Sequence, residues 1–362
     1  MKKITSMILA LVFAVSLIGS ASAKTLKIQL TFPKTSYDGQ IVKMWTDRVT
    51  KLTRGELKFE LLSKGEVVGL KETLEAVDKG LVDGGAAWTH YWSNYHPAAM
   101  LFGSPVAGGG IGLSTKSWLA WYFDNGGMEL YDQLWDEMGM NVKGFVMASS
   151  GPEALGWFKE PINSMADFRK YRFRTPPGIP GQTYKDIGVA SVAMGGGDIL
   201  PALEKGTIDA AEWCCPKPDS VFGFQKVLKN YYLQGLHQNV VNGDIYINGD
   251  VYKSLTDHQK YAMEVASEAM ITRNITNRAV ENGKALIDLT ENHGVILHDT
   301  PADYFVEYMN AAQATIAKNA AENAFFKKVY EHMTAHAKIV VPFIAQMETS
   351  DASIGTAFAK QQ

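Results

Sequence analysis

Apolar residues alternate from Leu26 through Ile28 and Leu30 to Phe32, the period of a half-buried strand, and Pro33 stops the run. Val42, Trp45, Val49 and Leu52 then recur at helical spacing over 38–52, and Arg54-Gly55 turns the chain into a second strand over 57–62. This strand, helix, strand rhythm predicts an α/β sheet. Further along, LEAVDKGLVDGGAAW (74–88) is echoed by LPALEKGTIDAAEW (200–213), with Gly80 over Gly206 and Asp83 over Asp209. In both copies an apolar helix stops at a glycine suited to a left-handed C-cap, and a small-residue strand follows an Asp turn. The echo predicts two lobes built alike, against the plainer reading that any α/β chain repeats such punctuation.

The remaining pattern extends this architecture. Helical periodicity covers 118–138, a candidate strand at 144–147 crosses toward the second lobe, and that lobe opens near Ala148. A capped short helix over 163–168 precedes a strand carrying Arg174; a helix at 182–187 and strands at 188–193 and 207–211 follow. Residues 222–228 are amphipathic, and 231–241 lead back to the first lobe. From Thr256, an N-cap candidate, to Asn292 the chain is helix-compatible almost without a break, long enough at about 1.5 Å per residue to span both lobes. Residues 295–297 could add an edge strand. Two more amphipathic helices over 302–347 find no room in a two-lobe core and are expected to brace the lobes or to pair with a second copy. The divisions are thus a leader at 1–23, lobe I over 24–147, lobe II over 148–238, a return to lobe I over 239–300 that includes the long helix, and C-terminal bracing or dimerisation helices over 301–362.

The leader combines Lys2 and Lys3, an apolar run over 7–18 and an A-x-A pattern at Ala21 and Ala23, the signature of a cleaved secretory signal peptide. Ser20 stands where a lipoprotein would carry its acceptor cysteine, so a soluble periplasmic chain beginning at Lys24 is expected. Its removal takes away two lysines and moves the formal charge from −3 to −5, which argues against nucleic acid or an anionic membrane as partner. Cys214 and Cys215 are the only cysteines, and their adjacency fits neither a zinc site nor a C-x-x-C redox motif. They are either two buried thiols, the favoured reading, or a strained vicinal disulfide.

Three segments carry candidate chemistry. WTHYWSNYHP (88–97) packs aromatic residues where a strand gives way to a loop, which suits either a pocket lining or a cap over the core; a metal on His90 and His96 lacks a third ligand. The glycine run 108–112 has no Gly-Lys-Ser/Thr ending and reads as a mobile loop rather than a phosphate cradle. Arg174, ahead of Thr175-Pro176-Pro177-Gly178, could grip a ligand carboxylate with both arms of its fork or form an internal salt bridge. Glu212 complicates the first option. A carboxylate about 4 Å from a ligand carboxylate costs on the order of 4 kcal/mol at an effective dielectric of 20, more than the ~1 kcal/mol an ordinary hydrogen bond returns. A hard cation between the two acids resolves the conflict.

The combination FRTPPG, GGGDILPALEKGTIDAAEW, GPEALGWF and AAENAFFKKVYEHMTAHAKIVVPF resembles the extracytoplasmic solute receptors of TRAP transporters, the DctP family, and most closely their branch for 2-oxo and 2-hydroxy monocarboxylates. The resemblance covers nearly all of the chain after the leader. It implies an α/β, two-lobe periplasmic-binding-protein fold of type II character that closes on a small organic acid and delivers it to an ion-driven membrane permease. It further implies that Arg174 pairs with the substrate carboxylate, that Glu212 and Trp213 supply cation and substrate contacts, that Gln238 contacts both, and that Tyr91 touches the substrate. Glu153 departs from the glutamine usual there. Two acids around one cation favour Ca²⁺ over Na⁺. Cys214-Cys215 also replaces the usual small residues and would narrow the pocket. A metal-free receptor for a dicarboxylate or sugar acid is the alternative within this fold. An exported hydrolase is a third reading, weakened by the lack of G-x-S-x-G and H-E-x-x-H.

Overall fold

The computed structural model describes residues 23–176 and 178–359; the expected signal peptide lies, apart from Ala23, outside them. Two sheets organise the chain. The first contains β1 (Lys24–Leu30), β2 (Leu57–Leu62), β3 (Gly84–Trp88), β4 (Val142–Ser150) and β10 (Val241–Asn248), in the order β2-β1-β3-β10-β4. The second contains β5 (Gly156–Phe158), β6 (Arg172–Thr175), β7 (Ala190–Ala193), β8 (Ala210–Ala211), β9 (Asn230–Tyr232) and β11 (Ile296–His298), in the order β11-β9-β5-β8-β6-β7. In each sheet a parallel strand pair meets an antiparallel neighbour that has crossed from the other lobe. This is the two-lobe α/β fold expected from the rhythm of the sequence.

Alternation along the strands supplies each sheet with two apolar faces. Ile245 and Ile247 of β10 pack with Phe145, Met147, Trp45 and Met263, whereas Tyr246 between them turns to the opposite core. In the second sheet Trp157 and Tyr231 face Ile199 and Leu289, while Phe158 and Tyr232 face the other side. That other side joins the far face of the first sheet in one aromatic core, completed by Tyr304, Tyr308, Phe326 and Met333 of the C-terminal helices. The helix Ala302–Glu322 is therefore part of the core, contrary to the expectation that it would find no room there.

The two echoed segments fold alike. Gly80 and Gly206 adopt φ of 70° and 65°, and the amides after them return to their helices in the same way, Leu81 to the Ala76 carbonyl and Thr207 to the Ala202 carbonyl. Asp83 and Asp209 each accept a backbone N–H from the neighbouring strand, from Lys27 of β1 and Arg172 of β6. Both copies end in a tryptophan, Trp88 and Trp213, and both tryptophans line the same cleft between the lobes.

Three connections cross between the lobes: 151–155 after β4, 233–240 after β9, and the helix Asp257–Asn292. That helix opens on a Thr256–Gln259 capping box, packs Met263 and Met270 under the first sheet, and buries Leu289 in the core of the second. β11 follows as the outer strand of the second sheet beside β9, so 296–298 belong to that sheet although the return to lobe I was expected to run to residue 300. The glycine run is a tied-down turn rather than a mobile loop. Ala107 to Gly110 have φ of 49° to 70°, Ala107 N–H donates to the Leu236 carbonyl, and Gly108 N–H donates to Asn239. A Cβ on Gly108 would come within 2.5 Å of the Leu113 carbonyl, so only glycine fits that turn. Among the described residues no helix is long and apolar enough to cross a membrane.

Candidate functional site

Between the lobes lies a narrow cleft lined by residues of both. Arg174, Trp213, Gln238, Glu153 and Tyr91, singled out separately along the chain, all line it. Glu212 is fully buried directly behind Arg174 and does not form the wall. Strand register explains this pairing, because β6 sets Arg174 against Ala211 of β8 and Glu212 is the next residue.

Arg174 Nη1 donates to Glu212 Oε1 at 2.6 Å and to the Glu212 carbonyl at 2.9 Å, while Nε and Nη2 donate to the Met194 carbonyl at 3.0 and 2.8 Å. The internal salt bridge left open by the sequence is thus formed. Four of the five guanidinium hydrogens meet oxygen among the described residues, leaving one on Nη2 for a ligand. The guanidinium also lies 5.1 Å from the Trp213 ring centroid, a cation–π contact. Burial raises the Glu212 carboxyl, but Arg174 and His237 outweigh it and hold the group below the usual carboxylate range.

Glu153 sits in the first crossing. Its N–H donates to the Gln238 carbonyl at 3.0 Å, and that of Ala154 donates to the Cys214 carbonyl at 2.7 Å, so both interlobe strands and the loop after β8 converge here. Burial and the neighbouring Glu212 push the Glu153 carboxyl well above its ordinary range. Glu153, Glu212 and His237 each present a ligating atom within 4.8 Å of the others. Glu153 Oε2, Glu212 Oε2 and both ring nitrogens of His237 are buried with no hydrogen-bond partner among the described residues. The two carboxylate oxygens are unpaired acceptors that are costly to bury, and a cation would satisfy them together, while His237 Nε2 lies 3.5 Å from Glu212 Oε2. The donor set therefore fits a hard cation held by the two carboxylates, with His237 beside them. Gln238 donates from Nε2 to Ser104 at 3.2 Å, leaving its amide oxygen available.

The aromatic segment after β3 divides between its two readings. Trp88, His90 and Tyr91 line the cleft, while Trp92 and His96 are buried, Trp92 in the aromatic core and His96 against Phe325. Burial depresses His90 to about 3, which keeps its imidazole neutral. Cys214 and Cys215 are buried free thiols, and Asp219 Oδ1 accepts both of their N–H groups at 3.0 and 3.2 Å, fixing the loop after Trp213.

Three residues of the site were not singled out in the sequence. His237 precedes Gln238, and a histidine beside a candidate ligand was the available signal. Asp38 lies in the first turn of the helix Tyr37–Leu52. Arg278 reaches the cleft from the middle of the long helix. Its signal was the buried stripe Met263, Ser267, Met270, Asn274, Arg278, in which polar residues replace apolar ones at unbroken helical spacing.

Comparison with known proteins identifies the family of the chain. Residues 30–323 match the DctP model, bacterial extracellular solute-binding protein, family 7. The monocarboxylate 2-oxoacid-binding periplasmic protein of Nostoc sp. (strain PCC 7120) is 31% identical over 298 residues, 80% of this chain and 78% of that protein. A TRAP transporter solute-binding protein from Bordetella bronchiseptica RB50, a dimer with calcium and picolinate in an active site, superposes with a TM-score of 0.86 at 25% identity, covering 94% of this chain and 99% of that one. One from Colwellia psychrerythraea with bound calcium and pyruvate gives 0.84 at 22% identity, covering 93% and 100%. The chain belongs to the DctP family of bacterial extracellular solute-binding proteins, and is a receptor rather than an enzyme.

Proposed function

We propose that this protein is a periplasmic TRAP receptor that captures a small 2-oxo or 2-hydroxy monocarboxylate together with a cation and presents it to the membrane permease. The observation that carries this reading is the set of buried, unpartnered atoms on Glu153, Glu212 and His237 beside Arg174. Glu153 and Glu212 hold the cation, with Trp213 and Gln238 completing the contacts, and Ca²⁺ suits two carboxylates better than Na⁺. The cation supplies positive charge that a carboxylate and a 2-oxo or 2-hydroxy oxygen can share. Arg174 contributes its free Nη2 hydrogen to the ligand carboxylate, and Trp213 and Tyr91 close over the ligand. The relatives described as binding 2-oxoacids, or pyruvate with calcium, support this choice.

A melting-shift screen of 2-oxo, 2-hydroxy and dicarboxylic acids, each with and without chelator, tests the proposal. A bound monocarboxylate at a hundredfold excess over Kd stabilises by about 2.7 kcal/mol. Chelation is expected to weaken that effect, and equal shifts with and without chelator would remove Ca²⁺ from the mechanism. The dicarboxylate alternative gains one observation, since Arg278 adds a second cationic side chain to the cleft. Asp38, 2.9 Å from Arg278, already balances that charge and keeps the monocarboxylate ahead.

The proposal extends to export and assembly. Residues 1–23 act as the signal that takes the chain to the periplasm and is then removed. The tail of the helix Ala324–Ala359 pairs with a second copy, because Ile339, Phe343, Met347, Ile354 and Phe358 are all more than half exposed. At 3.6 residues per turn they fall within about 100° of one another, a single apolar stripe.

A further inference from the structure

The two arginines of the cleft differ in what they have left to give. Arg174 spends four of its five N–H groups on oxygen. Arg278 meets oxygen once, through Nη2 to Asp38 Oδ1 at 2.9 Å. Its Nη1 faces only the Sγ atoms of Cys214 and Cys215, at 3.2 and 3.5 Å, and sulfur is a weak acceptor. Its Nε has no partner among the described residues, although the side chain is only 11% exposed and lines the cleft. A buried guanidinium with so many unserved donors is costly unless an acceptor arrives.

A second hollow begins where the first meets Arg278. The two share Asp38, Trp88, Val241 and Arg278, and the second continues past apolar Phe32, Ile41 and Met147. A ligand chain longer than pyruvate that extends from the first hollow toward the second passes Arg278. Charge restricts what that chain can carry. Arg174 and Arg278 are balanced by Glu212 and Asp38, and the cation of the monocarboxylate reading is balanced by the ligand carboxylate and Glu153. A distal carboxylate would enter with no charge left to meet it and with Asp38 beside it.

We propose that Arg278 forms a distal subsite of the cleft that selects 2-oxo or 2-hydroxy monocarboxylates carrying an uncharged oxygen, hydroxyl or carbonyl, further along the chain. This rests on the monocarboxylate reading above. Cys214 and Cys215 hold the Nη1 side of the guanidinium with soft acceptors that a ligand oxygen displaces at little cost, whereas Asp38 keeps it in place.

Titration calorimetry on the protein without its leader tests this with three acids of equal chain length, 2-oxopentanoate, 5-hydroxy-2-oxopentanoate and 2-oxoglutarate, and pyruvate as reference. Wild type is expected to bind 5-hydroxy-2-oxopentanoate about three- to tenfold more tightly than 2-oxopentanoate, the return on one buried hydrogen bond. It should bind 2-oxoglutarate more weakly than the hydroxy acid. In Arg278→Met the ratio of the first two affinities should fall to about one, and Arg278→Lys should restore part of it. No preference for the hydroxy acid in wild type overturns the subsite, and this result does not depend on how a variant folds. An undiminished preference in Arg278→Met overturns it as well, and a preference for 2-oxoglutarate overturns the uncharged class. If pyruvate binds but the preference is absent, only the subsite fails; if no acid binds, the monocarboxylate reading fails with it.

Discussion

At the scale of single residues, Arg174 is both a ligand group and the counterion of a buried acid. Arg174→Met should therefore do two things. It should remove the melting shift given by every carboxylate, and it should lower the stability of the ligand-free protein by about 3–5 kcal/mol, because Glu212 is left buried without its partner. Chemical denaturation without ligand measures the second effect, and an unchanged midpoint would mean the pair carries no structural weight. Asp244 makes a separate case. Burial outweighs the hydrogen bonds from Thr89 and Tyr131 and raises its carboxyl to about 7. The folded chain therefore holds a proton that the unfolded chain releases near 3.8. That contribution is complete below about pH 4 and is lost as pH rises toward about 7. Relative to Asp244→Asn, wild type should lose on the order of 1 kcal/mol per pH unit across that interval and level off above it, and denaturation curves at four pH values would show whether it does. Asp219, also raised to about 7 by burial, keeps part of the pH dependence in both proteins.

At the scale of elements, the glycine that ends each repeated helix has a measurable cost of replacement. Gly206 has a φ of 65° and nothing within 4 Å of an added Cβ, so Gly206→Ala isolates backbone strain from packing. It should destabilise by about 1 kcal/mol, and Gly206→Asn by less, because asparagine tolerates the left-handed region. Equal stability of all three proteins would remove the argument from the cap. These elements were legible in the sequence because a local cause sits in the sequence: a period of two, a period of 3.6, a cap, a glycine. Arg174 was legible as a candidate for the same reason, carried on a predicted strand, whereas Trp213 and Tyr91 took their roles from the family resemblance. Arg278 was not legible, since one of two arginines within 36 helical residues looks like a solvated side chain until the fold buries the stripe that carries it. The glycine run failed in the opposite direction. Its residues permit mobility, and only the distant Leu236 and Asn239 hold it still.

At the scale of the whole molecule, the C-terminal helices divide their labour. Tyr304, Tyr308 and Ala312 are fully buried, so deleting everything after Ala302 would open the core instead of separating two copies. The stripe further along is the better target. Phe343→Glu with Met347→Glu alters positions that are 65% and 58% exposed, and should turn a dimer into a folded monomer in sedimentation experiments. An intact protein that already sediments as a monomer would discard the assembly. The helix Asp257–Asn292 has a mechanical consequence of its own. A rod embedded at one end beneath the first sheet and at the other within the second cannot let the lobes swing as a door does. Any change of angle between them must be absorbed as bending or torsion of the rod, and buried Asn274 and Arg278 stand between its two anchorages, where Arg278 ties it to Asp38 of the helix Tyr37–Leu52.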